Sequence, residues 1–285
     1  MSSNAAQAQS STSSRIIRVS SSLNPIDFAP FGEVVENPET HGGRGKVQKV
    51  EANQGSATKW LDVSHLENWY TLAPSRKAAK AVMNMFVCKP RKLEVKDGRE
   101  VFPVNILERH PFTPQTFIPM GVGPDDKDVR YLVIVAPTLK TTKRESNDLN
   151  KPYPAEKPKP NRKSLKEKLL GARPNPFTND FEATTTPSML SLGPGRRPKG
   201  PGAPDLDNIQ AFIARGDQAV TYGPGTWHAP MVVLGSKPID FVVVQYANGV
   251  GLEDCQELYI KEALNIDVDE SAIKASAPGI MRAKL

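Results

Sequence analysis

The chain has little cysteine, little histidine and no long apolar run, and each shortage removes a class of protein. Two cysteines in 285 residues, Cys88 and Cys255, cannot build a disulfide framework, so a reducing compartment is expected and both are read as small core residues. No apolar stretch reaches the roughly 18 residues that a membrane-spanning helix needs. Residues 1–14 are nearly all Ser, Ala, Gln and Asn. They lack the apolar centre of a secretory signal and hold no arginine of the kind that marks a transit peptide. Such a segment buries too little to order itself. With only four histidines in the chain, the surroundings of each become informative.

The formal net charge of +6 invites a nucleic-acid reading until the charge is located. Residues 140–200 hold fourteen basic and six acidic side chains, which leaves 23 basic and 25 acidic elsewhere, a net of −2. A basic excess confined to one segment is no chain-wide footprint, so neither nucleic acid nor membrane is expected as a partner. Residues 140–204 also carry eleven of the 26 prolines, with repeated Lys-Pro and Gly-Pro pairs. That composition favours solvated chain over a packed layer, and only residues 164–170 hint at helical turns. The Gly-Pro-Gly-Arg-Arg-Pro-Lys-Gly run at 193–200 lacks the spacing of a phosphate loop.

Outside that insertion the pattern is one of short strands. Alternating or β-branched runs predict strands at 15–19, 33–35, 47–50, 83–87, 101–107, 130–136, 218–221, 231–234 and 239–246. Short helices are predicted over 205–215, stopped by Gly216, and over 255–263. Many turn-punctuated strands with few helices predict a mainly β sandwich or closed barrel. The expected plan is a tail (1–14), one domain (15–264, with the insertion 140–204 inside it) and a C-terminal tail (265–285).

Two stretches carry the candidate chemistry. In Glu108-Arg109-His110-Pro111, Glu108 and His110 are two apart on a predicted strand and so share a face. Pro111 and Pro114 bracket a turn, after which Gln115 can return to that face. Downstream, Tyr222-Gly223-Pro224-Gly225-Thr226-Trp227-His228 brings a second imidazole. If the sheet closes on itself, His228 joins Glu108, His110 and Gln115 around one point. The plain alternatives are buried structural histidines, a solvated carboxylate at a strand edge, and a glutamine satisfying backbone groups. Arg109 should point away from Glu108 on a regular strand, which makes an outer ion pair the alternative to substrate contact. Tyr222 and Trp227 suit pocket walls. Asp240 can orient a histidine or merely cap its strand. His41 and His65 lack such surroundings and are read as surface residues.

Glu108-Arg109-His110-Pro111, Gln115, Phe117-Ile118-Pro119-Met120 and Trp227-His228 together resemble the ureidoglycolate lyase family, long called ureidoglycolate hydrolases. Supporting patches are Phe28-Ala29-Pro30-Phe31-Gly32-Glu33-Val34-Val35-Glu36, Asn53-Gln54-Gly55, Ala211-Phe212-Ile213 and Asp240-Phe241. The resemblance spans about residues 15–258 apart from the insertion. It implies a cupin-type, jelly-roll-like β-barrel and a carbon–nitrogen lyase of allantoin and purine nitrogen breakdown, splitting (S)-ureidoglycolate into glyoxylate and urea. It also implies a divalent metal such as Ni2+, held by His110, Gln115, His228 and Glu108 at positions where cupins carry ligands.

In that setting His110, His228 and Glu108 are the catalytic candidates, with Arg109, Lys59, Tyr222 and Asp240 as candidates for holding substrate. Arg109 or Lys59 would grip its carboxylate. The partner is then a small molecule, and a homodimer is expected. The C-terminal Ala283-Lys284-Leu285 resembles a peroxisomal address, so the location expected is cytoplasmic or peroxisomal. Two other readings keep the fold: a different metal-dependent cupin acting on a small hydroxy acid, and a non-catalytic scaffold with the basic insertion as docking arm.

Overall fold

The computed structural model describes residues 15–39, 47–123, 126, 128–140, 192–261 and 263–268. In chain order the strands are β1 (Arg15–Arg18), β2 (Ser21–Ser22), β3 (Gly32–Val35), β4 (Lys49–Ala52), β5 (Ala57–Trp60) and β6 (Lys80–Cys88). There follow β7 (Glu94–Lys96), β8 (Arg99–Pro103), β9 (Ile106–Arg109), β10 (Gln115–Met120), β11 (Val129–Ala136) and β12 (Gln210–Arg215). The last are β13 (Ala219–Tyr222), β14 (Trp227–His228), β15 (Val232–Gly235), β16 (Ile239–Ala247), β17 (Gln256–Tyr259) and β18 (Leu264–Asp267). Two four-residue helices, Pro25–Phe28 and Gly251–Asp254, interrupt them. The class is mainly β, as expected, and among the described residues no helix is long and apolar enough to cross a membrane.

The strands form three layers. A five-stranded sheet runs β3-β13-β10-β16-β6, a seven-stranded path runs β17-β9-β14-β11-β12-β2, with β15 also paired to β11, and a four-stranded sheet runs β1-β18-β8-β7. β11 explains the stacking. Tyr131, Val133 and Val135 enter one core with Phe117 and Phe241 of the five-stranded sheet. Leu132, Ile134 and Ala136 enter a second core with Phe102 and Ile266 of the four-stranded sheet. A strand buried on both faces has no polar side, hence its unbroken apolar run.

Several expectations need correction. The sheets face one another but do not close into a barrel, since among the described residues each hydrogen-bonded path ends at separate edges. Residues 210–215 are strand β12, not helix, and β17 replaces the helix expected after Cys255. β18 begins at Leu264 and pairs in parallel with β1, and the packed body reaches at least Val268. The stretch 192–204 is packed on the body too: Leu192 is buried, and Leu139 N donates to Ala203 O at 2.9 Å. Residues 1–14, 141–191 and 269–285, with His41 and Ala283-Lys284-Leu285, lie outside the described residues.

Candidate active site

Two cross-strand pairs face each other from different sheets. Glu108 of β9 is directly opposite His228 of β14 in the seven-stranded path, and Gln115 of β10 is directly opposite Tyr222 of β13 in the five-stranded sheet. Between the sheets His228 Nε2 lies 3.2 Å from Gln115 Oε1 and 3.5 Å from Glu108 Oε1. Tyr222 lies flat on the His228 ring, with centroids 4.0 Å apart and planes 9° apart. His110, just past β9, completes the group at 5.7 Å between the two imidazole centroids. Glu108, His110 and His228 each offer an atom within 4.8 Å of the others. The long gap in sequence between the two histidines is therefore closed by sheet packing.

Hydrogen bonds to the backbone decide which ring nitrogen of each histidine is left to face the other side chains of the group. His110 Nδ1 is 2.6 Å from Asp254 O, and His228 Nδ1 is 2.9 Å from Thr226 O. A carbonyl accepts only from N–H, so both protons sit on Nδ1 and both Nε2 lone pairs point inward. Among the described residues His110 Nε2 is buried without a hydrogen-bond partner, as is the Tyr222 hydroxyl. Gln115 Nε2 donates to Gln245 Oε1 at 2.8 Å, which leaves the Gln115 oxygen facing His228. With both rings neutral, lone pairs of two imidazoles, an amide and a carboxylate thus converge. A cation relieves that convergence, and so does a second proton on an imidazole. The residues fit a divalent metal with mixed nitrogen and oxygen ligands.

The charges are set by the same packing. Burial pushes the Glu108 carboxyl up, but the hydrogen bond and charge of His228 and the charge of His110 outweigh it and leave Glu108 below the ordinary carboxylate range. Burial, then the charge of His228, lowers His110 to about 4 against the opposing pull of Glu108. Burial and the nearby Glu108 charge raise the Tyr222 hydroxyl, so it stays a donor. Cys255, also beside Glu108, is pushed up to about 12 by burial and by Glu108, Glu257 and Asp254, which keeps it a thiol.

Of the residues proposed from sequence, Glu108, His110, Gln115, Tyr222 and His228 meet here. Three substrate-binding candidates do not. Arg109 points to the other face of β9, where its guanidinium donates to Gln256 Oε1 and to the carbonyls of Gly200, Pro201 and Gly202. It also lies 4.3 Å over the Trp227 ring. Its donors are committed to holding chain, not to a ligand. Lys59 stands exposed on the β4–β5 hairpin, outside the group around Glu108. Asp240 is exposed on β16, opposite Met120 and Val87. His65, read as a surface residue, is half-buried and pairs with Glu33 at 2.7 Å. Asp254 and Thr226 act through backbone carbonyls, for which side-chain patterns give no signal. Gln245 sits in an apolar strand and gives little more.

A family model described as ureidoglycolate lyase matches residues 15–267. A ureidoglycolate lyase of Schizosaccharomyces pombe is 32% identical over 229 residues, covering 80% of this chain and 84% of its own length. One of Saccharomyces cerevisiae is 28% identical over 235 residues, with 80% and 85% covered. One of Burkholderia mallei is 24% identical over 226 residues, with 78% and 80% covered. Matched over most of its length, with both histidine motifs inside the matched span, the chain belongs to the ureidoglycolate lyase family.

Proposed function

We propose that this protein splits (S)-ureidoglycolate into glyoxylate and urea at the Glu108–His110–His228 pocket. The observation that carries the reading is the convergence of one ligand atom each from His110, His228 and Glu108 within 4.8 Å, from two separate stretches of a chain of this family. Ureidoglycolate carries a hydroxyl and a urea nitrogen on one carbon. Its cleavage moves the hydroxyl proton to the departing nitrogen, turns the hydroxyl oxygen into the aldehyde oxygen, and consumes no water.

Glu108 is ionised at neutral pH and can take that proton, then return it to the urea nitrogen as the carbon–nitrogen bond breaks. A carboxylate held below its usual range is a weak base, so the hydroxyl must itself be made more acidic. A divalent ion held by His110, His228, Gln115 and Glu108, nickel being one that suits such ligands, would supply that acidity when bound. The Tyr222 hydroxyl has no hydrogen-bond partner among the described residues and is placed to donate to a substrate oxygen. The facing sheets with ligands between them support a cupin-like reading of the fold.

We propose further that two copies pair through β6, which ends its sheet among the described residues. Rows Met85–Val242–Ile118 and Val87–Asp240–Met120 cross three strands on the outer face of the five-stranded sheet. Met83, at 72%, and Val87, at 61%, are exposed there. A solvent face of an antiparallel sheet is ordinarily polar, and past Lys80 at its start β6 carries none of the charge that usually blunts a sheet edge.

Purified protein given ureidoglycolate should release glyoxylate and urea in equal amounts. A chelator should suppress this and added Ni2+ restore it. His110→Ala and His228→Ala should fall to background while keeping the wild-type circular dichroism. No release with any first-row divalent ion, or wild-type turnover by either variant, overturns the reading.

A further inference from the structure

The hydrogen bond that fixes His110 comes from the end of a four-residue helix, and that helix is fastened with unusual care. Asp254 closes it. The Asp254 carboxylate accepts from Tyr70 Oη at 2.6 Å, from Asn248 N at 2.8 Å and from Gly249 N at 2.7 Å. Its neighbour Glu253 accepts from Ser75 N at 2.7 Å, Ser75 Oγ at 2.6 Å and Asn248 Nδ2 at 2.7 Å. Tyr70 braces His110 from a second side as well. Its ring lies 5.7 Å from that of Phe112, two residues beyond His110, and Trp69 N donates to Phe112 O at 2.8 Å.

We propose that Tyr70 and Asp254 are positioning residues for His110: the phenol–carboxylate bond sets the helix end so that the Asp254 carbonyl keeps the imidazole proton on Nδ1 and Nε2 aimed at Glu108 and His228. Among the described residues neither side chain hydrogen-bonds the side chains of Glu108, His110 or His228. The chemical reason lies in the carbonyl. Asp254 O binds His110 whatever residue supplies it, but only if the turn 248–254 keeps its angle, and the two acids hold that turn against residues 70–75. The His228 side has a parallel arrangement. Thr226 O takes the His228 proton, while Thr226 Oγ1 donates to Phe31 O and Gly225 N donates to His110 O, both at 2.8 Å. The His110 side differs in depending on a side-chain bond from a distant loop. Its effect on turnover rests on the lyase reading; its effect on the ring does not.

Tyr70→Phe removes one hydroxyl and keeps the ring on Phe112, so it tests the bond without opening the core. Carbon and nitrogen chemical shifts of the His110 ring should change from a single Nδ1–H form to a mixture of both tautomers at neutral pH. Affinity for Ni2+ alone, by competition with a coloured chelator, should weaken by about 10- to 100-fold, and kcat should fall more than KM changes. Asp254→Asn keeps the size but sets an amide against the Gly249 N–H, and should act in the same direction. Ser75→Ala removes the Ser75 Oγ bond to Glu253 but keeps the Ser75 N–H bond to Glu253 and the Tyr70–Asp254 bond, and should leave the tautomer unchanged. A wild-type tautomer and Ni2+ affinity in folded Tyr70→Phe overturns the proposal, whether or not the wild-type protein turns over ureidoglycolate. A shifted tautomer in a protein that releases no glyoxylate sustains it while removing the lyase reading.

Discussion

Tyr222 lies 4.0 Å above His228 with the two rings nearly parallel, and its hydroxyl, buried next to Glu108, reaches no acceptor among the described residues. The ring and the hydroxyl do separate things. The ring holds the imidazole flat against the five-stranded sheet; the hydroxyl is a donor kept for something that arrives.

Tyr222→Phe separates the two. A buried hydroxyl without a partner costs stability, so its removal should leave the unfolding free energy unchanged or raise it by up to about 1 kcal/mol. If the hydroxyl meets substrate, kcat/KM should drop about tenfold, the worth of one neutral hydrogen bond. Denaturant unfolding and steady-state kinetics on the same preparation check both. A loss of stability with unchanged kinetics means that the hydroxyl serves the fold alone.

Much of this site was legible before any coordinates, and the reason is local geometry. Alternation along a strand is enough to place Glu108 and His110 on one face and Arg109 on the other, and the structure keeps that division. What lay out of reach depends on which distant chain arrives. Arg109 is read as an ion-pair or substrate residue because a guanidinium advertises charge, yet its partners include three carbonyls of 200–202, and a carbonyl leaves no mark in sequence. The same stretch looks solvated from its Pro and Gly content. Residues 210–215 look helical because Leu206, Ile209 and Ile213 recur at three- and four-residue steps. In the fold, Phe212 and Ala214 enter one core and Ala211 and Ile213 the other. A strand covered on both faces shows no period of two.

The apo protein should lose stability in acid through His110. Its folded-state value, about 4, lies below the ordinary 6.5. Between those values the unfolded chain binds a proton that the folded chain refuses, so stability rises with pH across the window and is lost as pH falls from about 6.5 towards 4. The full effect is on the order of 3 kcal/mol. Glu108, also lowered, adds a loss in the same direction at still lower pH, as its folded-state carboxylate is protonated. Urea unfolding at pH 7, 5.5 and 4, with a chelator present, should show this slope in wild type and a shallower one in His110→Gln. Equal slopes would mean that His110 is not the group refusing the proton.

Arg109→Lys should behave as a fold variant. Lysine carries the charge but cannot reach Gln256 and three successive carbonyls from one planar fork, nor lie flat on Trp227. Stability should fall by about 2–4 kcal/mol, as expected when charged hydrogen bonds are lost from a buried site. KM for ureidoglycolate, measured where the variant is folded, should stay within about threefold of wild type. A selective rise in KM by a factor of ten or more would return Arg109 to the list of substrate anchors.

Pairing through β6 makes a concentration-dependent prediction. An antiparallel match of β6 with its own copy satisfies the unpaired N–H and C=O groups of one edge and places the same residues on both sides of a two-fold axis. A charge introduced on that strand therefore meets itself across the axis. Met85→Lys with Val87→Lys puts lysines where both copies are apolar, at positions exposed enough that the single chain should keep its stability within about 0.5 kcal/mol. Sedimentation of the wild-type protein at micromolar concentration should give twice the chain mass of 31.1 kDa, and the double variant should give the chain mass alone. A wild-type protein that sediments as a single chain removes β6 as a self-pairing edge, and a double variant that stays dimeric moves the interface to another face.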